Sequence, residues 1–338
     1  MQQKPNHVNT LIVRLLDQVI VSVTQALATG SAAHEKSNAN KPLGGIVAAS
    51  LTPLAVDGTV DIGRMKQHFD WLFAQGCSFV SPFGSTGEGP SFSVAEKHAA
   101  LVALKAEGID MSRVIPAAMS AAVDDTVSSI KTALALDCRA ILIVPPYYYG
   151  SASQAGIADF FAACAAPFGG NFPLDVVLYH IPQMSKIAFG TTLIQELVAR
   201  FPGRIVGIKD STGDRDHSVM LARTFPALRI FTGDDRVLPD LLDAGGAGMI
   251  GGLPNIVAPD LCAFFANPKG EQAKSIMERA ALRIVAVDDH GGIAALKAIK
   301  AEAYKDDAWT RHKAPLRPID KDSYASLRAI FVNTAFEF

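Results

Sequence analysis

The chain places its most chemically distinctive residues at the ends of short apolar runs. Lys209 closes the run within Ile205-Val206-Gly207-Ile208-Lys209-Asp210-Ser211-Thr212-Gly213-Asp214. Lysine is a poor choice for a sheet interior, because its ammonium must lose water. Held in an apolar pocket it gives up its charge more readily, and the free amine can attack a ketone to form a Schiff base. The plainer reading is a strand-end lysine that reaches solvent. Tyr179 closes Val176-Val177-Leu178-Tyr179-His180-Ile181-Pro182. A tyrosine whose hydroxyl reaches both a substrate and another polar group can shuttle protons. The plainer reading is a packed aromatic with a satisfied hydroxyl.

The same kind of position recurs. Phe83-Gly84-Ser85-Thr86-Gly87-Glu88-Gly89 follows another apolar run. Its three glycines around two hydroxyl residues expose backbone N–H groups that suit a small carboxylate or phosphate. In Pro145-Pro146-Tyr147-Tyr148-Tyr149 the prolines stop a strand, and one tyrosine can complete a proton relay or a subunit contact. Gly233-Asp234-Asp235 offers two carboxylates, fit either to bind substrate hydroxyls or to hold a loop. Gly248-Met249-Ile250-Gly251-Gly252-Leu253-Pro254-Asn255 supplies glycines that let backbone approach a ligand or pack tightly.

Composition narrows the field. The 338 residues carry 31 Lys+Arg against 33 Asp+Glu, which argues against a nucleic-acid binder with its basic excess. With 49% hydrophobic residues, disorder is not expected either. Cys77, Cys138, Cys164 and Cys262 form no C-x-x-C pair. They read as small buried hydrophobes of a reducing compartment, so a cytoplasmic setting is expected. The histidines are scattered and H-E-x-x-H is absent, so a His-based metal cluster is not expected. The apolar stretch at 8–21 is broken by Arg14 and Asp17. It reads as an amphipathic helix, a poor membrane span and a poor signal peptide.

These residues need a frame that brings strand ends together. From Gly44 onward, short apolar runs alternate with helical stretches: Gly45–Ser50, Ser78–Pro82, Arg113–Ala117, Ala140–Val144, Asp175–His180, Arg204–Lys209, Arg229–Thr232 and Gly248–Gly252. They start about 29 residues apart, close to the roughly 31 per unit of an eightfold βα barrel. The expected fold is therefore α/β. It comprises a (β/α)8 TIM barrel over 44–257, an N-terminal extension and linker over 1–43, and a C-terminal helical region over 258–338. Asp61 is placed to cap a helix carrying Ile62, Met65, Phe69, Leu72 and Phe73, and Ser93 with Glu96 forms a capping box. Later helices are expected near 259–266, 270–287, 291–304 and 322–335. Active residues of such a barrel gather at the C-terminal ends of its strands, where Lys209 and Tyr179 fall.

In this order, Gly84-Ser85-Thr86-Gly87-Glu88, Pro146-Tyr147-Tyr148, Leu178-Tyr179-His180-Ile181-Pro182, Gly207-Ile208-Lys209-Asp210 and Gly233-Asp234-Asp235 resemble one family. It is the dihydrodipicolinate synthase / N-acetylneuraminate lyase family of Schiff-base class I aldolases, matched from about Gly44 to about Ile319. The resemblance implies a homo-oligomer, tetramer or dimer, with no metal or organic cofactor. It implies a pyruvate-type 2-oxo acid and an aldehyde as substrates. On this resemblance Lys209 forms the Schiff base and Tyr179 relays protons. Ser85 and Thr86, with Gly84, hold the pyruvate carboxylate, and Thr86 passes a proton to Tyr179. Tyr148 reaches into a neighbouring subunit's site, and Ile250 or Gly251 presents a carbonyl near the substrate.

Three positions depart from the family pattern. Met184 stands where the synthase branch has an arginine for the second substrate's carboxylate, and a thioether cannot replace a bidentate guanidinium. Lys186 lies nearby as a partial substitute. Arg236 and Gly252 stand where the neuraminate lyase branch has a glutamate and a serine. His180 replaces an asparagine. The expected activity is therefore a 2-keto-3-deoxy sugar acid type aldolase or dehydratase, with Asp235, Arg236 and His180 as acceptor contacts. The alternatives are a 4-hydroxy-tetrahydrodipicolinate synthase, a non-catalytic barrel that binds a 2-oxo acid, and a metal-dependent aldolase.

Overall fold

The computed structural model describes residues 43–338. The expected N-terminal helix and the linker before Leu43 lie outside the described residues. Eight strands follow one another: β1 (Gly45–Ala49), β2 (Phe79–Ser81), β3 (Ala117–Ala118), β4 (Ile141–Ile143), β5 (Val176–His180), β6 (Ile205–Asp210), β7 (Arg229–Thr232) and β8 (Gly248–Gly251). They pair in parallel in the order β2-β1-β8-β7-β6-β5-β4-β3. At the remaining seam, Val80 bridges Val114 in parallel, and Ile115 N–H donates to Val80 O at 2.9 Å. The result is the expected TIM barrel. The third strand departs from the expected Arg113–Ala117 in position and length. Pro116 has no N–H for the ladder, so regular pairing begins only at Ala117.

The helices between strands are α1 (Ile62–Ala74), α2 (Val94–Ala106), α3 (Val123–Ala135), α4 (Gln154–Ala165), α5 (Pro182–Ser185), α6 (Thr191–Arg200), α7 (Arg215–Thr224) and α8 (Leu238–Asp243). Asp61 caps α1 by accepting from Arg64 N–H at 3.0 Å. The Ser93–Glu96 capping box at α2 forms both of its bonds, 3.2 and 2.9 Å. Four helices follow β8: α9 (Pro254–Ala266), α10 (Ala273–Asp289), α11 (Ile293–Tyr304) and α12 (Lys321–Asn333). Their bounds lie within a few residues of those expected. No helix among the described residues is long and apolar enough to cross a membrane.

Strand alternation sorts the apolar side chains into two layers. Val47, Ala49, Leu142, Val177, Tyr179, Phe231 and Ile250 fill the barrel interior. Ile46, Ala48, Ile141, Ile143, Leu178, Ile208 and Met249 face the helices.

Helix α11 ties the C-terminal region to the mouth of the barrel. Lys297, fully buried, pairs with Glu88 and donates to Arg311 O at 2.6 Å. Lys300 Nζ donates to Asn255 O at 3.0 Å and sits over the rings of Trp71 and Tyr304, 4.2 and 3.8 Å from their centroids. Burial drives its pKa far down, with no carboxylate paired to it among the described residues. Asn255 itself is a junction. Its Oδ1 accepts from Leu51 N–H at 2.9 Å and lies 2.8 Å from His68 Nε2. Its Nδ2 donates to Ala49 O at 2.8 Å and Gly252 O at 2.7 Å. One amide thus joins the ends of β1 and β8 to α1. Replacing it with alanine leaves several buried backbone groups without partners. Asn255→Ala is expected to lose about 2–4 kcal/mol, read as a lower urea midpoint at unchanged m-value.

Candidate active site

The register of β5 and β6 sets Tyr179 directly opposite Lys209. Both point into the barrel and are buried, at 2% and 4% exposure. Lys209 Nζ lies 4.2 Å from the Tyr179 ring centroid, and no carboxylate pairs with it among the described residues. Tyr179 Oη lies 3.1 Å from Ser85 Oγ. The strand-end lysine therefore does not reach solvent, and the tyrosine hydroxyl reaches the Gly-rich turn.

That turn is held by its own backbone. Glu88 N–H donates to Ser85 O at 3.1 Å, and Gly89 N–H donates to Gly84 O at 2.9 Å. Glycine is required at its close approaches. A Cβ on Gly89 would lie 1.7 Å from Phe83 O, and one on Gly87 would lie 2.7 Å from Ser50 O. Thr52 Oγ1 donates to Gly87 O at 2.7 Å. Glu88 takes a left-handed conformation (φ 58). Its buried carboxylate accepts from Lys297 and, at 2.8 Å, from Lys313 N–H. The cost of that conformation and of the buried charge is thus offset by two donors from the C-terminal region.

The hydroxyl that meets Tyr179 is that of Ser85. The expected link from Thr86 to Tyr179 is not formed among the described residues. Thr86 lies instead beside Gly252, where a Cβ would come within 3.4 Å of Thr86 Oγ1 and 3.1 Å of Leu296 Cδ1. Gly84 is buried in the turn and Ile250 in the barrel interior. A Cβ on Gly251 would meet Met249 Cε at 2.4 Å, so that thioether end would have to move aside. Of the three tyrosines, Tyr147 packs against the interior cluster, while Tyr148 is 79% exposed and meets Tyr149 edge-on.

The residues expected as acceptor contacts separate. Asp235 is fully buried, and burial, reinforced by Asp234, pushes its carboxyl up to about 8. That shift favours the protonated form, and neither carboxyl oxygen has a hydrogen-bond partner among the described residues. Arg236 is locked by Asp234, with Nε 3.0 Å from Oδ1 and Nη2 2.6 Å from Oδ2. Met184 is largely exposed, and Lys186 Nζ donates to Gln183 O at 3.0 Å. His180 is a correction. It alternates with Tyr179 along β5, so it faces the outer layer against Phe189 and His217 rather than the interior.

There it meets residues the sequence analysis passed over. Asp210, opposite His180 in the register, accepts from Ser218 Oγ at 2.7 Å and lies 2.9 Å from His217 Nδ1. Burial pulls the Asp210 carboxyl up, but the histidines and Ser218 hold it far below the usual range. The hydrogen bond to Asp210 in turn raises the His217 pKa. Strand alternation pairs positions 180 and 210, but the helix position that adds His217 has no short motif.

Barrel, strand-end lysine and Gly-rich turn together define a class: an α/β barrel with a buried amine and a preformed turn at the C-terminal ends of its strands. Residues 42–333 match the Dihydrodipicolinate synthetase family, and the chain belongs to it. It is 36% identical over 295 residues to an uncharacterized DapA-like lyase of Chloroflexus aurantiacus, covering 85% of this chain and 95% of that protein. It is 29% identical to the crystal structure of dihydrodipicolinate synthase from Agrobacterium tumefaciens (TM-score 0.80), covering 86% and 99% of the two chains. It shares the fold of a 2-keto-3-deoxygluconate aldolase of Sulfolobus solfataricus at 21% identity (TM-score 0.76), covering 86% and 96%.

Asp235 titrates with a readable sign. Unfolded, its carboxyl loses a proton near 3.8, and folded it keeps that proton up to about 8. Between these values the folded state binds more protons, so stability falls as pH rises. Chemical denaturation of the wild type and Asp235→Asn from about pH 5 to about pH 9 is expected to show the wild type losing stability relative to the variant.

Proposed function

We propose that this lyase-family chain is a class I aldolase that joins Lys209 to pyruvate or a related 2-oxo acid as a Schiff base. The observation that carries the reading is the buried Lys209 amine over the Tyr179 ring, with the tyrosine hydroxyl joined to Ser85. The amine adds to the keto carbon, and the carbinol oxygen leaves as water with a proton passed through Tyr179. The iminium then accepts the electron pair when the bond beyond C3 breaks, giving an enamine and releasing an aldehyde. Run backwards, the enamine attacks an aldehyde. The Ser85–Thr86 turn is suited to hold the carboxylate through its N–H groups. The exposure of Tyr148 supports a role in a neighbouring copy's site if the chain forms a homo-oligomer.

The acceptor is proposed to be hydroxyl-rich, as in a 2-keto-3-deoxy sugar acid handled by an aldolase or dehydratase. Met184 offers no guanidinium for an acceptor carboxylate, and Arg236 is committed to Asp234. The neutral Asp235 suits a hydroxyl. A second reading, 4-hydroxy-tetrahydrodipicolinate synthase in a cytoplasmic setting, is favoured by relatives of that name, such as one of Anaeromyxobacter dehalogenans at 29% identity. Pyruvate release from sugar-derived 2-oxo acids, run beside a synthase assay with aspartate semialdehyde, separates the two.

Borohydride reduction in the presence of pyruvate is expected to leave a mass adduct on Lys209, absent in Lys209→Ala. An unmodified wild type overturns the reading and leaves a binding barrel. Ser85→Ala is expected to keep the adduct but to lower turnover roughly 10–100-fold, because Tyr179 loses its hydroxyl partner.

A further inference from the structure

Behind the Tyr179–Lys209 pair, on the outer face of the same two strands, lies a cluster that the proposed chemistry leaves unused. Three donors converge there from β5, β6 and α7. Asp210 Oδ1 lies 3.2 Å from His180 Nδ1, and Oδ2 lies 2.9 Å from His217 Nδ1. Ligand atoms of the three residues lie within 4.8 Å of one another. The His180 side chain is 3% exposed; its Nδ1 faces Asp210 without a well-aligned hydrogen bond, and its Nε2 has no hydrogen-bond partner among the described residues. A buried imidazole with one nitrogen poorly aligned on a carboxylate and the other unpartnered is costly, and such a group calls for an explanation.

We propose that His180, Asp210 and His217 form a binding site for a divalent transition metal, with Zn2+ as the best match. Two imidazole nitrogens and a carboxylate oxygen suit zinc, whereas Mg2+ and Ca2+ want oxygen ligands. In a tetrahedral zinc sphere, neighbouring donors sit about 3.3–3.4 Å apart. The observed 3.2 and 2.9 Å run to the two different oxygens of Asp210, and the separations within the set extend to at most 4.8 Å, so binding draws the side chains together by up to about 1.5 Å. Ser218 Oγ or a water is placed for the fourth position, since that hydroxyl already meets Asp210. The His217 side chain is 25% exposed and gives the ion a way in. Binding replaces the proton that His217 shares with Asp210, so a proton is released to solvent as the metal–nitrogen bond forms. The site lies outside the barrel wall, so the ion clamps β5, β6 and α7 and has no part in the chemistry of Lys209.

The test uses the full chain, stripped with chelator and dialysed, and Zn2+ alone titrated against a chromophoric chelator. The expected result is one ion per chain and a raised Tm. His217→Ala and His180→Asn are each expected to lower affinity roughly a hundredfold. His217→Gln, which keeps a donor for Asp210, does the same if the alanine variant misfolds. Co2+ in place of Zn2+ is expected to show tetrahedral d–d absorption with no thiolate band. The proposal is overturned if the wild type binds Zn2+ no more tightly than these variants. It is equally overturned if a thiolate band assigns the ion to Cys77 and Cys262. Neither readout depends on turnover.

Discussion

The parallel pairing of β5 with β6 is the constraint on which the rest of the molecule turns. The register shifts once between Val176 and Val177 and then runs unbroken from Gly207 to Asp210, where a period of two makes each pair fix the next. Tyr179 opposite Lys209 puts an amine and a phenol inside the wall, and His180 opposite Asp210 follows of necessity on the outside. A slip by one residue would exchange the two sets. The lysine would enter the helix layer, and the acid with its histidine would enter the barrel. The branched residues Val176, Leu178 and Ile208, packed against the helices, resist that slip, because each would trade a closed apolar layer for the barrel interior.

The Gly-rich turn obeys a different rule. Its conformation is not one the local residues prefer, since Glu88 sits in the left-handed region and Gly89 has no space for a Cβ. Long-range contacts hold it there. Lys297 and the backbone of Lys313 meet the Glu88 carboxylate, while Thr52 meets Gly87. The helices after β8 are thus part of the mouth they border. A turn held in this way is already ordered, so no further entropy is lost in fixing its backbone.

Much of this was legible in sequence, for physical reasons. Eight apolar runs at even spacing admit few folds, and the capping signals at Asp61 and Ser93 are local chemistry that forms as read. Lys209 and Tyr179 stood out because a lysine at the end of an apolar strand is costly unless used. The sequence was silent where contacts are long-range. Asn255, Lys297 and Lys300 look like ordinary helix residues, and only folding shows that they meet partners about 200 residues away along the chain or across the barrel end. His180 was misplaced because its neighbour Tyr179 faces the interior, and adjacent strand residues cannot share a face. The choice between Ser85 and Thr86 as the partner of Tyr179 depends on a turn whose shape is imposed from outside it.

The lysines of α11 give the order of residues along the chain a meaning in time. During synthesis, all eight strands have left the ribosome well before residue 297 does. A barrel complete in its strands still lacks the cation that neutralises Glu88 and the donor that fixes the Asn255 carbonyl. A chain cut short after β8 would lack the Lys297 and Lys313 partners of the Glu88 carboxylate at the root of its Gly-rich turn. The turn that meets Tyr179 therefore gains its full set of partners only once the chain has run through α11 to Lys313.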